Sequence, residues 1–166
     1  MESSYAGETD EAHGWKGIVF KGVKDGWVRQ VTGLYFGYGL VSIQSWSSYV
    51  TVEDSAMLDH KSVITGSRRY SFNIDDSDYL LFQRLLTRRG RHDFVSGSLT
   101  PGPNAFVDCR ALYAHSDIGP HHRYATGQLY DNVRGDEINV QNRESSGTGH
   151  GWAGAQVMLW NTVGDV

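Results

Sequence analysis

Short segments in which apolar and polar residues alternate follow one another along most of this chain. The clearest are GIVFKGV (17–23), WVRQVTG (27–33), LVSIQSW (40–46) and YVTVED (49–54), which are rich in β-branched and aromatic residues. That composition is typical of β-strands. The best helical candidate, Ser77–Arg89, has no cap at its C-terminal end, and we predict that it is a strand as well.

Several segments end alike, with an apolar or aromatic pair, then an acid or amide, then a small or polar residue. The copies are VTVEDSA (50–56), LLFQRLL (80–86), FVDCRAL (106–112), QLYDNVR (128–134), NVQNRES (139–145) and MLWNTVG (158–164), with GWVRQVTG (26–33) as a looser one. Most neighbouring copies lie roughly 20–30 residues apart, a spacing typical of stacked supersecondary units. Because such a unit buries its apolar face only against its neighbours, the pattern predicts a solenoid.

Two all-β architectures accommodate many short strands, a parallel β-helix and an antiparallel sandwich or jelly roll. The antiparallel fold favours hairpin turns of the Asn-Gly or Asp-Gly type, and Asp25-Gly26 is the only such pair in the chain. We therefore predict a short or truncated right-handed parallel β-helix of about five to six coils. It would occupy residues 15–166, after a flexible, polar segment over residues 1–14.

Composition narrows the class of protein. A length of 166 residues suits one domain, and 20% charged with 12% aromatic residues indicates a globular chain. The net charge is −4, whereas nucleic-acid binders usually carry a basic footprint, so we expect no nucleic-acid partner. No apolar run reaches the roughly 18 residues that a membrane-spanning helix needs, so we expect no membrane partner.

The single cysteine and the chain ends bear on compartment and assembly. Cys109 excludes an intrachain disulfide, and its place within a repeat predicts a small, inward-facing residue rather than a catalytic thiol. Residues 1–11 do not resemble a signal peptide. A complete chain would be cytoplasmic, and a piece of a longer secreted parent would be extracellular or periplasmic. No capping helix follows the last strand copy, so we expect a homo-oligomer formed through solenoid ends.

Charged and polar chemistry is concentrated in three stretches between the later repeats. They are GRHDFVSGSLTPGPN (90–104), AHSDIGPHHRYATG (114–127) and QNRESSGTGHGWAGAQ (141–156), and they hold five of the seven histidines. Stacked coils place successive corners above one another, so we expect these stretches to converge on one side. Each residue also has a simpler interpretation as a turn cap or a hydrogen-bonded corner.

The same region resembles a known fold family. The segments GRHDFVSGSLTPGPNAFVDCRA (90–111), SDIGPHHRYATGQLYDNV (116–133) and INVQNRESSGTGHGWAGAQVMLWN (138–161) resemble the C-terminal coils of uncharacterised bacterial proteins with a pectate-lyase-like right-handed parallel β-helix. The resemblance covers roughly residues 60–161. It implies the fold more specifically than an activity, and the N-terminal capping region usual in that family is not evident here.

The wider superfamily contains polysaccharide lyases, glycoside hydrolases and non-catalytic carbohydrate-binding solenoids. The resemblance therefore implies binding of an acidic polysaccharide, with β-elimination as the reaction if the chain is an enzyme. The alternative is a non-catalytic solenoid that serves as an interaction or assembly module.

A lyase removes a proton beside a uronate carboxylate and stabilises the enolate-like intermediate with positive charge. Arg91, Arg123 or Arg143 could act as the base, assisted by His121 or His122. Hydrolysis needs paired carboxylates, and Asp93 with Asp117 supports it less well. The catalytic candidates are Arg91, His92, Asp93, His121, His122, Arg123, Arg143 and His150, and the substrate-binding candidates are Asp117, Asn142 and Trp152.

The sequence also leads to predictions about metal binding and about the location of the tryptophans. A zinc site would draw on His115, Asp117, His121 and His122, but their spacing matches no defined zinc signature, and we predict no metal centre and no cofactor. Calcium stays an option at the acidic cluster Asp75, Asp76 and Asp78, which is more simply a solvated turn. We expect the strand tryptophans Trp27, Trp46 and Trp160 to lie in the core.

Overall fold

The computed structural model describes residues 1–165 and is built from short β-strands. In chain order the strands are β1 (Lys16–Lys21), β2 (Lys24–Arg29), β3 (Thr32–Leu34), β4 (Gly39–Gln44), β5 (Ser48–Glu53), β6 (Ala56–Leu58), β7 (Phe72–Ile74), β8 (Asp78–Gln83), β9 (Leu86–Arg88), β10 (Phe94–Ser96), β11 (Asn104–Val107), β12 (Arg110–Leu112), β13 (Gly119–Pro120), β14 (Ala125–Thr126), β15 (Gln128–Asp131), β16 (Arg134–Glu137), β17 (Gly154–Ala155), β18 (Met158–Trp160) and β19 (Val163–Asp165). A single helical turn, α1 (Ser146–Gly149), interrupts the loop between β16 and β17.

Three parallel sheets organise these strands. Their orders are β1-β4-β7-β10-β13, β2-β5-β8-β11-β15-β18 and β3-β6-β9-β12-β16-β19, with a small extra pair β14-β17. Consecutive strands enter successive sheets, and the next strand of each sheet belongs to the following turn of the chain. This parallel order is consistent with a solenoid, and all pairings between named strands are parallel, so the antiparallel sandwich is excluded for the described residues.

The repeated segments of the sequence correspond to the second sheet. Val52 pairs with Phe82, Phe82 with Phe106, Phe106 with Tyr130, and Tyr130 with Leu159. Ser77–Arg89, the segment with some helical character, forms strands β8 and β9 as predicted. The repeats therefore mark equivalent inward positions in successive coils.

One copy, NVQNRES (139–145), was assigned wrongly. This segment joins none of the three large sheets, and its Asn142 makes only an isolated antiparallel bridge to Trp152. Beyond Val140 it supplies no apolar side chain that could enter the core. The segment instead begins a long loop between β16 and β17, which covers one side of the stack.

A polar corner follows each strand of the second sheet. The corner residues have positive φ angles between 49° and 56°, and they are Gln30, Asp54, Arg84, Asp108, Asn132 and Asn161. Asn and Asp tolerate this left-handed conformation better than most residues. The backbone N–H of each corner except Asn161 is hydrogen-bonded to the next coil, as from Asp108 to Asp131 O at 3.0 Å. The polar residue that directly follows the strand of each repeat is thus a turn residue.

Aromatic rings stacked between coils form the centre of the core. Phe106 lies between Phe82 and Tyr130, with ring-centroid distances of 4.9 and 5.2 Å. Phe94, from the first sheet, approaches Phe106 to 5.8 Å. All four rings are fully buried. Cys109 is also buried, as predicted, and burial raises the pKa of its thiol to about 12.

The three strand tryptophans are not in the core. Trp27, Trp46 and Trp160 are 65%, 80% and 58% exposed. Trp27 and Trp160 occupy outward positions of the second sheet, because the neighbouring inward positions are taken by Val28 and Leu159. Trp46 lies at a corner with a φ of 64°. The alternation of apolar and polar residues therefore predicts where the strands lie, but it does not predict whether these tryptophans face the core or the solvent.

Residues 1–14, predicted to be flexible, lie against the first coils. Glu2 makes a parallel bridge to Leu34, and the Met1 amino group donates to Thr32 O at 2.7 Å. Lys61 Nζ lies 2.6 Å from a Glu8 carboxylate oxygen. Mobility of this segment stays a prediction. Within the described residues, no helix has the length and apolar character required to cross a membrane.

Candidate functional site

Most of the predicted site residues meet at the edge of the first sheet, in the later coils. His92 precedes β10, while Asp117 and His121 flank β13. Tyr70 occupies the position equivalent to His92 one coil earlier, and the two rings lie 5.2 Å apart. The loop between β16 and β17 adds Arg143 and His150 from the other side.

Asp117 is the electrostatic centre of this group. His92 Nδ1 lies 2.8 Å from the Asp117 carbonyl oxygen and 3.3 Å from its Oδ1. Arg143 Nη2 donates to Oδ2 of the same carboxylate. Burial opposes ionisation of Asp117, but the hydrogen bonds from His92 and Arg143 outweigh it and hold its pKa well below the usual range. The three side chains therefore form a buried, hydrogen-bonded unit in which Asp117 is ion-paired with Arg143.

Three more imidazoles pack beside this unit. The His121 ring lies 4.1 Å from that of His92 and 5.1 Å from that of His150, and His122 lies 4.7 Å from His150. Burial, with the neighbouring His92 and Arg143, lowers the pKa of His121 to about 2. Burial is also the main cause of the lowered pKa values of His122 and His150. These imidazoles are therefore neutral at pH 7.

An open cleft of about 510 Å³ lies over these side chains. Its lining is cationic and polar and comprises Gly66, Ser67, Tyr70, Arg91, His121, His122, Arg143, Ser146, Gly147, Thr148 and His150. Arg91 approaches the Tyr70 hydroxyl, whose pKa is raised mainly by burial. Arg91 Nη1 is buried and makes no hydrogen bond within residues 1–165. A guanidinium N–H in this position is available to a ligand oxygen.

Asp93 does not belong to the cleft lining. It is fully buried and accepts a hydrogen bond from Ser71 Oγ, which is also 2.9 Å from His60 Nε2. Burial raises the Asp93 pKa to about 6. His92 and Asp93 lie in the bend before β10 and reach different environments, because His92 contacts Asp117 whereas Asp93 contacts Ser71.

The remaining predicted residues lie at the margin of the cleft. Arg123 donates to the Thr148 carbonyl oxygen and hydroxyl, and thereby holds the loop that carries α1. Asn142 is exposed and accepts a turn hydrogen bond from Glu144 N at 3.0 Å. Trp152 is 56% exposed beside it. None of these three lines the cleft directly.

Sequence reasoning missed Tyr70, Ser98 and Thr148. Tyr70 lies outside the three polar stretches, and only the pairing of β7 with β10 brings it beside His92. Ser98 Oγ is hydrogen-bonded to His122 Nδ1. Thr148 was inside a quoted stretch but carried no distinguishing signal. The tyrosine could have been found by extending the repeat alignment one coil towards the N-terminus.

The residues considered as calcium ligands and those considered as zinc ligands lie in different parts of the fold. Asp75 accepts from Asn73 Nδ2 at 2.6 Å, and Asp76 is an exposed corner with a φ of 47°. Calcium binding there stays a prediction. Of the four zinc-type residues considered, His115 lies elsewhere, near Arg69 and Arg89. Among the described residues, three potential ligands with atoms within 4.8 Å of one another are His92, Asp117 and His121.

The chemistry available at the cleft consists of guanidinium donors, neutral imidazoles and a tyrosine hydroxyl. Such a set suits an anionic ligand with several oxygen atoms, because guanidinium groups form strong charge-assisted hydrogen bonds with carboxylates. Comparison of the chain with protein-family models, curated proteins and solved structures finds no match.

Proposed function

We propose that this chain is a right-handed parallel β-helix of the pectate-lyase-like kind that binds an acidic polysaccharide in the cleft. Three parallel sheets support the fold, and each gains one strand per turn of the chain except the first sheet, which ends at β13. The resemblance of the three C-terminal segments supports the ligand class. Placement outside the cell follows only if the chain derives from a longer secreted parent.

One observation carries the ligand proposal. Arg91 and Arg143 meet in a cleft whose described lining contains no carboxylate, although the whole chain has a net charge of −4. Arg143 is paired with Asp117 behind the lining, so Arg91 supplies the unpaired positive charge that attracts an anion to the cleft of this acidic protein.

Elimination is the reaction that these side chains favour over hydrolysis. A glycoside hydrolase needs two carboxylates facing the same bond, but Asp93 is directed into the interior and Asp117 is paired with Arg143. In an elimination, an imidazole of His122 or His150 would accept the proton from the carbon beside the uronate carboxylate. That electron pair forms the new double bond as the C–O bond to the leaving sugar breaks, and the leaving oxygen takes a proton from water. Arg91 would stabilise the enolate-like charge.

Arg91→Gln is expected to weaken binding of polygalacturonate by about tenfold or more, since a hydrogen bond to a charged group contributes about 1.5–3 kcal/mol. Isothermal titration calorimetry measures the affinity, and dextran serves as the neutral polymer. Arg134→Gln is the matched control, because Arg134 is exposed on the third sheet. Arg143 is a poorer choice, because its removal would leave the buried Asp117 unpaired.

The proposal that the cleft binds the polysaccharide would be contradicted if Arg91→Gln and Arg134→Gln lost the same amount of affinity for polygalacturonate. It would also be contradicted if the wild type bound dextran as tightly as polygalacturonate. Catalysis is read separately, from the ultraviolet absorbance of the unsaturated product. Binding without product, in a folded protein, would assign a carbohydrate-binding solenoid rather than a lyase.

A second function, assembly through a solenoid end, is favoured by the last coil. Leu159 occupies the inward position next to Tyr130, yet it is 38% exposed, and Met158 and Trp160 are each 58% exposed. Within the described residues no further strand pairs with β18. An apolar strand edge of this kind is a template for pairing with another chain.

Leu159→Asp is therefore expected to abolish concentration-dependent self-association of this chain. Analytical ultracentrifugation of the wild type should show dimers or larger species as concentration rises. Tyr113→Asp is the control, since Tyr113 is exposed at 70% on another surface. A wild type that stays monomeric at the highest concentration would rule out assembly through this edge.

A further inference from the structure

We propose that His92, Asp117 and His121 form a binding site for one divalent transition metal ion, such as Zn²⁺, at the floor of the cleft. The three side chains can each offer a ligand atom, and these atoms lie within 4.8 Å of one another. The inference is independent of the polysaccharide proposal, because it concerns a different ligand and different atoms.

His92 is oriented as a metal-binding histidine usually is. Its Nδ1–H donates to the Asp117 carbonyl oxygen at 2.8 Å, so the lone pair is on Nε2. A backbone carbonyl in this role fixes the ring orientation and makes the other nitrogen more basic. His92 is 1% exposed, and its Nε2 has no hydrogen-bond partner within residues 1–165. A buried lone pair without a partner calls for a ligand.

His121 supplies the second unpartnered nitrogen. Its ring centroid is 4.1 Å from that of His92, it is 7% exposed, and its buried Nδ1 makes no hydrogen bond to any described residue. The two rings are thus packed closely, and each has one buried nitrogen without a hydrogen-bond partner among the described residues. A metal ion would satisfy both nitrogens at once.

Asp117 is the third ligand of the proposed site, and its pairing with Arg143 affects which metal ions the site prefers. Arg143 holds Oδ2, and Ser116 Oγ donates to Oδ1 at 3.0 Å, so the carboxylate is held in place. Arg143 also cancels the carboxylate charge, which leaves imidazole nitrogen as the main source of affinity. Imidazole donors suit Zn²⁺ and its neighbours, whereas Ca²⁺ and Mg²⁺ require oxygen ligands.

The site has an entry path and a free coordination position. His121 lines the cleft, and the His150 ring lies 5.1 Å beyond it. Three protein ligands and one open position are typical of catalytic rather than structural zinc sites.

The test uses the full chain, treated with EDTA and then titrated with Zn²⁺ alone in an isothermal titration calorimeter. We expect one Zn²⁺ per chain for the wild type and loss of that binding in His121→Ala. His115→Ala, a histidine of a different surface, should bind as the wild type does. Arg91→Gln should also keep Zn²⁺ binding, which separates this site from the polysaccharide cleft.

His92 is tested without substitution, because its full burial makes a variant prone to misfolding. Nitrogen-15 NMR of the wild-type imidazoles should show Zn²⁺-induced shifts at His92 and His121 and none at His115. The inference is overturned if the wild type binds no Zn²⁺, if His121→Ala binds it as tightly as His115→Ala, or if the imidazole shifts occur elsewhere.

Discussion

Phe106→Ala is expected to lower the free energy of unfolding by about 3–5 kcal/mol, the largest effect of any single substitution considered. Phe106 is fully buried and has a ring neighbour in each adjacent coil and another in the first sheet. Its removal leaves a cavity that three rings must line without being able to collapse. In a stack, moreover, each coil is stabilised mainly by its neighbours, so a central defect affects both sides.

Urea denaturation followed by circular dichroism measures this loss, and Tyr113→Ala provides the matched control. Tyr113 is also an aromatic residue at a coil, but it is 70% exposed, so its truncation should change stability by no more than about 0.5 kcal/mol. A loss below about 1 kcal/mol for Phe106→Ala would mean that the aromatic stack is not the core of the protein.

The second large effect is a dependence of the unfolding free energy on pH. Two buried groups, His60 and Asp93, change it in opposite directions as the pH falls. Burial, aided by Arg69, lowers the His60 pKa to about 3. In the unfolded chain His60 takes up a proton near pH 6.5. Its full contribution to the stability of the folded state is therefore present above that pH. It is lost at about 1.4 kcal/mol per pH unit as the pH falls towards 3. His121 acts in the same direction.

Asp93 works against this loss over part of the range. Its folded pKa is raised by burial to about 6, above the ordinary value of 3.8. As the pH falls from 6 to 3.8 the folded state binds the proton first, so Asp93 adds stability at about 1.4 kcal/mol per pH unit. With His60 and His121 on the other side, we expect a net loss of stability between pH 6.5 and pH 4.

Two variants separate these contributions in EDTA-containing buffer. Asp93→Asn removes the opposing group while keeping an acceptor for Ser71, so it should steepen the loss of stability on acidification. His60→Asn should make it shallower. The measured quantity is the difference in unfolding free energy between pH 6.5 and pH 4.5, which is insensitive to a uniform loss of stability. Parallel pH profiles for wild type and both variants would contradict the assignment.

Much of the strand layout could be predicted because it depends on local pattern. LLFQRLL was recognised as a strand through its likeness to VTVEDSA and QLYDNVR, and all three lie in register in the second sheet. NVQNRES matched by letters alone and was assigned wrongly, since a repeat needs inward apolar side chains as well as a polar corner. Trp27, Trp46 and Trp160 show the same limit, because hydrophobicity does not determine which face a corner or an edge strand presents.

The candidate site was predicted by composition and assembled by topology. Three polar stretches in order, rich in histidine and arginine, indicated a convergent surface, and His121, His122, Arg143 and His150 do lie together. Their roles required the coordinates. Asp117 is the partner of both His92 and Arg143, whereas Asp93 is buried against Ser71. Tyr70 entered the site from an earlier coil that the three stretches did not include.

The sequence by itself determined the strands, the polar corners and the approximate place of the charged cluster, because each depends on residues within one repeat. Only the tertiary structure decided which side chains face one another. In a stacked fold those contacts join residues that are one or two coils apart, so small differences in coil length change every pairing. The long loop between β16 and β17 adds Arg143 from a segment without repeat character, and no local pattern could have placed its guanidinium on Asp117.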